Sequence, residues 1–493
     1  MEENRHVDLE SANATFIQSS ENENFLQATE ISNVVHSYDA QPDSDVEKTS
    51  PSSSENIEKS STVLPAKHGF FSSALSSKRK LVVIKLTQSV LLMAVFIMGF
   101  LSIYWGSFYK RIEHLQRVHL WIVNLDNYSG STIGPQFISV AKEFVKNMNT
   151  IQVEVKDVSV FGKDYSRYVD YVTEENTWGV FFIRENATGI LNEALANPSS
   201  TAASTYNGSL AIQFLFAQAR DEVAYGYINP WVFQLNDVFT SAYLQTTLKN
   251  AAANYSISNI LQSAPGLLSA PAKIAQVDLR PFDIPVATAT TQVGLIYLII
   301  VSFFQFNFFQ PVHMIIAQDL KIHHHVLYRI AASWIAYFFL SLFFSLISLA
   351  FQIDFTAKYG NGGFVVYWML NFIGMLAVGG TCENMALIAF AIYPPLVGLC
   401  LICVVITNVS VAFYSIPLQA KFYRYGYAFP IKNLSDAFKT VIFNTKNTMG
   451  RNVGVVIVWI VLDIIGLPIC LWFFGRQMRK KQAAATIFAD KKR

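Results

Sequence analysis

The chain has 493 residues, a formal net charge of +2, 52% hydrophobic side chains and only 15% charged ones, with 39 phenylalanines among them. A soluble domain averages about 25% charged residues. The composition therefore excludes an ordinary soluble protein, carries no basic footprint for a nucleic-acid partner, and leaves an integral membrane protein with room for one water-exposed domain.

Residues 1–77 come first, with thirteen acidic and three basic side chains up to Ala66. Apolar residues there are sparse and aperiodic, so the stretch is predicted to be a disordered, acidic cytoplasmic tail, either inert or phosphorylated on its serines. It lacks the early apolar core of a signal peptide. Lys78, Arg79, Lys80 and Lys85 then precede the apolar run 86–105, long enough for one transmembrane helix. The basic cluster places its start in the cytoplasm, and Tyr104, Trp105 and Tyr109 form an aromatic belt at the far interface.

Residues 106–287 read as a mixed α/β domain outside the membrane. Val118–Val123, 151–160, Trp178–Ile183 and Leu210–Phe216 have the apolar runs or alternation of strands. Pro135–Met148 and Trp231–Leu248 have helical spacing. The four cysteines, Cys382, Cys400, Cys403 and Cys470, all lie beyond the domain, so it must be stable without disulfides. Asn127, Asn186, Asn207 and Asn254 each head an Asn-X-Ser/Thr acceptor, which predicts an extracellular or luminal domain and a glycoprotein.

Five further spans are predicted within 291–474, at Thr291–Phe309, Ile330–Phe351, Phe364–Gly380, Met385–Phe413 and Val453–Phe474. The total is six, arranged 1+5, with both termini cytoplasmic and a basic tail at 475–493. Pro394 and Pro395 predict a kink or break in the span 385–413. The loop 414–452 conflicts with the positive-inside rule: it carries six Lys and Arg against Asp436 alone. Parity keeps it outside, Asn433 heads a further acceptor there, and its aromatic spacing predicts short helices lying in the interface or dipping into it.

Few residues carry chemistry. Asp463 sits mid-span, where an acid costs about 2.5–3.5 kcal/mol on insertion scales. It is either a proton-coupling or cation-binding acid, or a polar tie to another helix. Glu383 is expected at the cytoplasmic turn between two spans, facing a cavity mouth or capping the next helix. Asn371, Asn307 and Gln305 read as interhelical hydrogen-bond partners. His323-His324-His325 lacks a spaced ligand set and reads as a solvated loop, and Cys400-Leu-Ile-Cys403 reads as packing, so no metal is expected. No nucleotide or hydrolase motif is present, and neither a cofactor nor an enzymatic activity is expected.

The run Phe422-Tyr423-Arg424-Tyr425-Gly426-Tyr427-Ala428-Phe429-Pro430, with Asn433 and Leu434 behind it, resembles the fungal nitrosoguanidine-resistance membrane protein family. So do Val293–Tyr297 and Ser302–Phe304. That family looks like the membrane half of ABC-type exporters of the type-2 fold. The resemblance implies a plasma-membrane permease that exports or redistributes amphipathic small molecules or lipid in drug tolerance, with the endoplasmic reticulum as the alternative location. Membrane lipids, an amphipathic substrate and a second copy of the chain are the implied partners. A non-transporting adaptor whose outside domain binds a partner is the other function expected.

Overall fold

The computed structural model describes residues 70–148, 150–317 and 319–490. Most of the expected acidic tail thus lies outside the described residues. The first long helix, α1 (Ser76–Gly106), is apolar beyond its basic first turns and has a π turn at Ile97–Leu101. It starts ten residues before the predicted span because lysines and arginines continue a helix past the hydrocarbon boundary.

A five-stranded sheet follows: β1 (His119–Asn124), β2 (Gln152–Lys156), β3 (Gly179–Ile183), β4 (Ile212–Phe216) and β5 (Ile274–Asp278). Their spatial order is β2-β1-β3-β4-β5. All neighbours are parallel except β3 and β4. Two helices pack on it, α2 (Ile133–Met148) and the 33-residue α3 (Glu222–Asn254). Strand alternation sorts the side chains onto two faces. Leu120, Ile122, Phe181 and Phe214 bury against Phe137 of α2 and Phe239 of α3. Val123, Val180 and Leu215 bury on the other face against Tyr168 and Val172, from the helix Tyr165–Thr173. Each such side chain contributes about 1.5–3 kcal/mol, which is how the domain holds without a disulfide.

Three sequence expectations change here. The strand predicted over 151–160 stops at Lys156, because Asp157 accepts the Ser159 N–H at 2.8 Å and starts a helical turn. The helix predicted over Trp231–Leu248 extends at both ends; Asp221 caps it by accepting the Ala224 N–H at 3.0 Å. Strand β5 is too polar on one side to stand out in the sequence.

The membrane half holds α4 (Ala289–Ile316), α5 (Ile322–Ala350), α6 (Gly363–Ile392), α7 (Leu396–Ala412), α8 (Pro430–Phe443) and α9 (Met449–Asp490). The chain is mostly helical. Among the described residues, five helices are long and apolar enough to cross a membrane. Helix α7 is apolar but has 17 residues, about 25 Å against a hydrocarbon core of about 30 Å. The predicted boundary between the fourth and fifth spans is wrong. Helix α6 runs unbroken through 381–384, where a turn was expected. The turn lies at Tyr393-Pro394-Pro395, since proline lacks the N–H the helix needs and restricts the residue before it. Helix α6 is the hub of the bundle, packing against α4, α5, α7, α8 and α9.

The 414–452 loop dips inward. Helix α8 buries Ile431, Leu434, Phe438 and Val441 among the spans, with Pro430 in its first turn and Asn444 in the left-handed conformation ending it. The α/β domain sits on this loop. Leu418 is buried in the domain's own core. Arg117 Nη1 donates to the Gln419 carbonyl at 2.7 Å, and Arg280 Nε to the Asn444 carbonyl at 2.8 Å.

Candidate functional site: a polar cluster inside the helical bundle

Helix α5 is apolar around most of its circumference. His325, Arg329, Ser333, Tyr337, Ser341 and Ser345, four residues apart, form one buried polar stripe. A spacing of four keeps side chains on one helical face. In a membrane that face turns inward, because no water waits outside to satisfy polar groups.

The stripe meets α6 at Glu383. Arg329 Nη2 lies 2.6 Å and Nε 2.8 Å from Glu383 Oε1. Arg329 is 2% exposed, so the pair is buried. Arg329 Nη2 also donates to Gln310 Oε1 of α4 at 3.2 Å. His313 and His325 complete the cluster, and His313 Nδ1 and His325 Nε2 are buried without a hydrogen-bond partner. Farther along the stripe, the Tyr337 hydroxyl lies 2.9 Å from Gln305 Oε1 and 3.0 Å from the Ser302 carbonyl.

Asp463 lies 14 residues past Met449 on α9, about 21 Å along the helix axis. Thr381 Oγ1 approaches its Oδ2 at 3.0 Å and its Oδ1 at 3.2 Å. Asn384 Nδ2 donates to the Asp463 carbonyl at 3.0 Å and lies 3.4 Å from Oδ1. Glycines permit this approach: a Cβ on Gly380 would stand 2.8 Å from the Asp463 Cβ, and one on Gly379 would overlap the Tyr337 hydroxyl. Asp463, Glu383 and Tyr337 all line one small crevice of about 40 Å³. Room for about one water takes ~10–15 Å³, so it has space for a water or two between the acids.

Glu383 is therefore neither at a helix turn nor a cap, because α6 does not end before it. Arg329 is the residue the sequence reading missed. His323-His324-His325 is not a loop but the first turn of α5, with His325 turned inward and the other two exposed. No group of three or more His, Cys, Asp or Glu among the described residues is placed to hold a metal. Asn371 Nδ2 donates across to Ser345 Oγ at 3.0 Å. Gln305 is in the cluster, whereas Asn307 points outward and is exposed.

The aromatic motif is a clamp. The Tyr423 hydroxyl donates to the Ile103 carbonyl of α1 at 2.7 Å, and the Tyr425 hydroxyl to the Thr407 carbonyl of α7 at 2.9 Å. Gly426 packs against Val411, where a Cβ would stand 2.5 Å from the Val411 Cβ. Arg424 is exposed. Asn433 is buried and donates to the carbonyls of Tyr427 at 3.0 Å and Phe429 at 2.8 Å. In the folded chain it is no glycan acceptor. Asn127, Asn186, Asn207 and Asn254 are all exposed.

Two apolar cavities flank the cluster. A groove of about 440 Å³ lies between α1 (Leu92, Phe96, Phe100) and the α6–α7 pair. A second cavity, of about 260 Å³, shares Met385 and Cys403 with it and reaches Thr381, Asn408 and Trp459. Thr381 is the residue that holds Asp463, so this pair of adjoining apolar cavities, an apolar path in outline, borders the polar cluster. Cys400 and Cys403 are free thiols of this apolar wall.

These features define a multi-pass membrane protein whose α/β domain is inserted between its first two long apolar helices. The chain belongs to the family described as protein of unknown function, DUF3533, whose model matches residues 89–465. It is 31% identical over 470 residues to an uncharacterized endoplasmic reticulum membrane protein of Saccharomyces cerevisiae, an overlap covering 90% of this chain and 91% of that one. No solved structure matches.

Proposed function

We propose that this protein moves amphipathic molecules, lipids or lipid-like toxic compounds, across the bilayer in which it sits. The observation that carries the proposal is the apolar path from the groove beside α1 to Thr381 and Asp463. A lipid tail would occupy the groove, while the polar head would meet the acids and Arg329 inside the bundle. Intramembrane ionisable groups facing a cavity are functional candidates by default. The resemblance to the nitrosoguanidine-resistance family and to type-2 exporters supports the same reading, with a second copy of the chain as the natural other half. The sequence carries no nucleotide-binding motif, so coupling would rest on protons at Asp463 or on a separate ATPase chain, and the reading assigns no enzymatic step. The endoplasmic reticulum is the favoured membrane, in keeping with the yeast relative's description.

The test is flux. Purified full-length protein in liposomes should speed the exchange of a fluorescent short-chain phospholipid between leaflets, read by dithionite quenching. Rates equal to those of protein-free liposomes would sink transport and favour an adaptor role for the α/β domain.

The proposed orientation puts that domain on the luminal or outer side. Endoglycosidase treatment should then shift the gel mobility of the wild-type chain. Replacing Asn127, Asn186, Asn207 and Asn254 together should abolish the shift, with nothing left for the buried Asn433. An untreated mobility already equal to that of the quadruple variant would refute the orientation.

A further inference from the structure

Where the α/β domain meets α8, a polar cavity of about 220 Å³ opens, which shares no lining residue with the apolar cavities or with the cavity at Asp463. Five cations line it: Arg220 from the domain, Lys432 and Lys439 on α8, Lys446 behind it and Arg451 in the first turn of α9. Three acids line it as well, and each already has a partner. Asp436 Oδ1 lies 2.6 Å from Lys432 Nζ. Glu175 Oε2 lies 3.8 Å from Arg220 Nε. Asp221 caps α3 by accepting the Ala224 N–H. Burial pushes the Glu175 carboxyl up from its ordinary range, with Arg220 pulling the other way.

The remaining cations are underused. Lys439 Nζ donates to the Arg220 carbonyl at 3.3 Å, and Lys446 Nζ to the Glu174 carbonyl at 2.8 Å. An ammonium has three protons to give, so each keeps spare donors. Arg451 has no ion-pair partner among the described residues, and Thr448 and Arg451 set the positive end of the 42-residue α9 at the cavity wall. Arg220 is held in place, stacked 3.9 Å above the Trp178 ring and donating to the Thr177 carbonyl at 2.7 Å. The result is a preformed cationic cavity at the seam between domain and bundle, with Ile416 and Tyr427 on its rim.

We infer that this cavity is a phosphate-binding site, taking the phosphate of a phospholipid headgroup or free inorganic phosphate. Several donors converging from lysines, an arginine and a helix N-terminus suit a tetrahedral, multiply charged anion. The seam at the edge of the bundle is also where a headgroup stands when its tails lie beside the helices. The inference goes beyond the proposed function: it adds a second site, separate from the acids and Arg329 inside the bundle, and it is tested by binding alone, without flux. A chain that binds phosphate but moves no lipid would refute transport and leave this site standing.

The measurement is calorimetry on the full-length protein in detergent, with three probes: inorganic phosphate, dihexanoyl phosphatidic acid and dihexanoylglycerol. The last has the same tails and no phosphate. Phosphatidic acid or phosphate should bind, with an affinity that falls as salt rises. Lys446→Gln combined with Arg451→Gln should weaken it by about tenfold or more, the loss of charge-assisted hydrogen bonds. Lys446→Arg with Arg451→Lys should keep binding within about threefold, which separates lost charge from lost fold. Tighter binding of phosphatidic acid than of phosphate assigns the site to lipid, and the reverse assigns it to the free ion. Binding of dihexanoylglycerol as tight as that of phosphatidic acid, or affinity unchanged in the Gln double variant, overturns the site.

Discussion

Glu383→Ala is expected to be the most damaging single substitution in the membrane half, costing about 3–5 kcal/mol. The reason is what it leaves behind. Arg329 would remain 2% exposed inside the bundle with Gln310 as its one hydrogen-bonded side-chain partner among the described residues. Burying two charges and pairing them is close to neutral against an apolar pair; burying one alone is not. The charge-swapped variant Arg329→Glu with Glu383→Arg should therefore recover part of the loss. The double variant Arg329→Met with Glu383→Leu should recover most of it. Thermal stability of the detergent-solubilised protein, followed by size-exclusion fluorescence, measures all three. The apolar double variant also separates structure from function. If it is as stable as wild type and still exchanges lipid, the ion pair is only a tie between α5 and α6. A Glu383→Ala variant as stable as wild type would mean that Arg329 is not buried as described.

The contrast between Glu383 and Arg329 marks where sequence reasoning reaches and where it stops. The class of protein, the insertion of an α/β domain after the first span and four of its five strands follow from composition and period-two alternation. The helix boundaries in the bundle do not. A bundle helix is apolar on nearly every side, so hydropathy falls only where charge appears, and Thr381–Asn384 looked like a turn for that reason alone. The prolines three turns later mark the real stop. Arg329 falls outside the predicted span because it precedes the apolar run at Ile330. The spacing of four from His325 to Ser345 was the signal that α5 starts earlier and turns a polar face inward. Likewise, the aromatic and basic loop 414–452 was legible as interfacial, but the burial of Leu434 and Phe438 among the spans depends on glycine gaps that spacing does not reveal. Gly374 is one, where a Cβ would come 2.6 Å from Leu434 Cδ1. The cavity at the domain seam joins Arg220 to Arg451, residues 231 positions apart, and no local pattern links them.

Asp463 offers the sharper division between a structural and a transport role. Asp463→Asn keeps an oxygen for the Thr381 hydroxyl and the Asn384 amide, and it is nearly the same size beside Gly380. It should fold as well as wild type, within about 1 kcal/mol. Asp463→Leu removes both acceptors and adds a branched side chain against Gly380. Its loss is softened by fallback bonds: Thr381 Oγ1 lies 3.0 Å from the Ala377 carbonyl, and Asn384 still reaches the backbone carbonyl of residue 463. The expected cost is about 1–3 kcal/mol. Lipid exchange in liposomes with and without a pH gradient then decides the role. An acid that carries protons is lost equally in Asn and Leu, so both variants should lose any response to the gradient although only Leu is destabilised. An acid that merely ties α9 to α6 predicts a different split, with Asn indistinguishable from wild type in flux as well as in stability. Unchanged stability and unchanged flux in both variants would remove Asp463 from the site altogether. That outcome would shift attention to the Arg329–Glu383 pair and the histidines beside it.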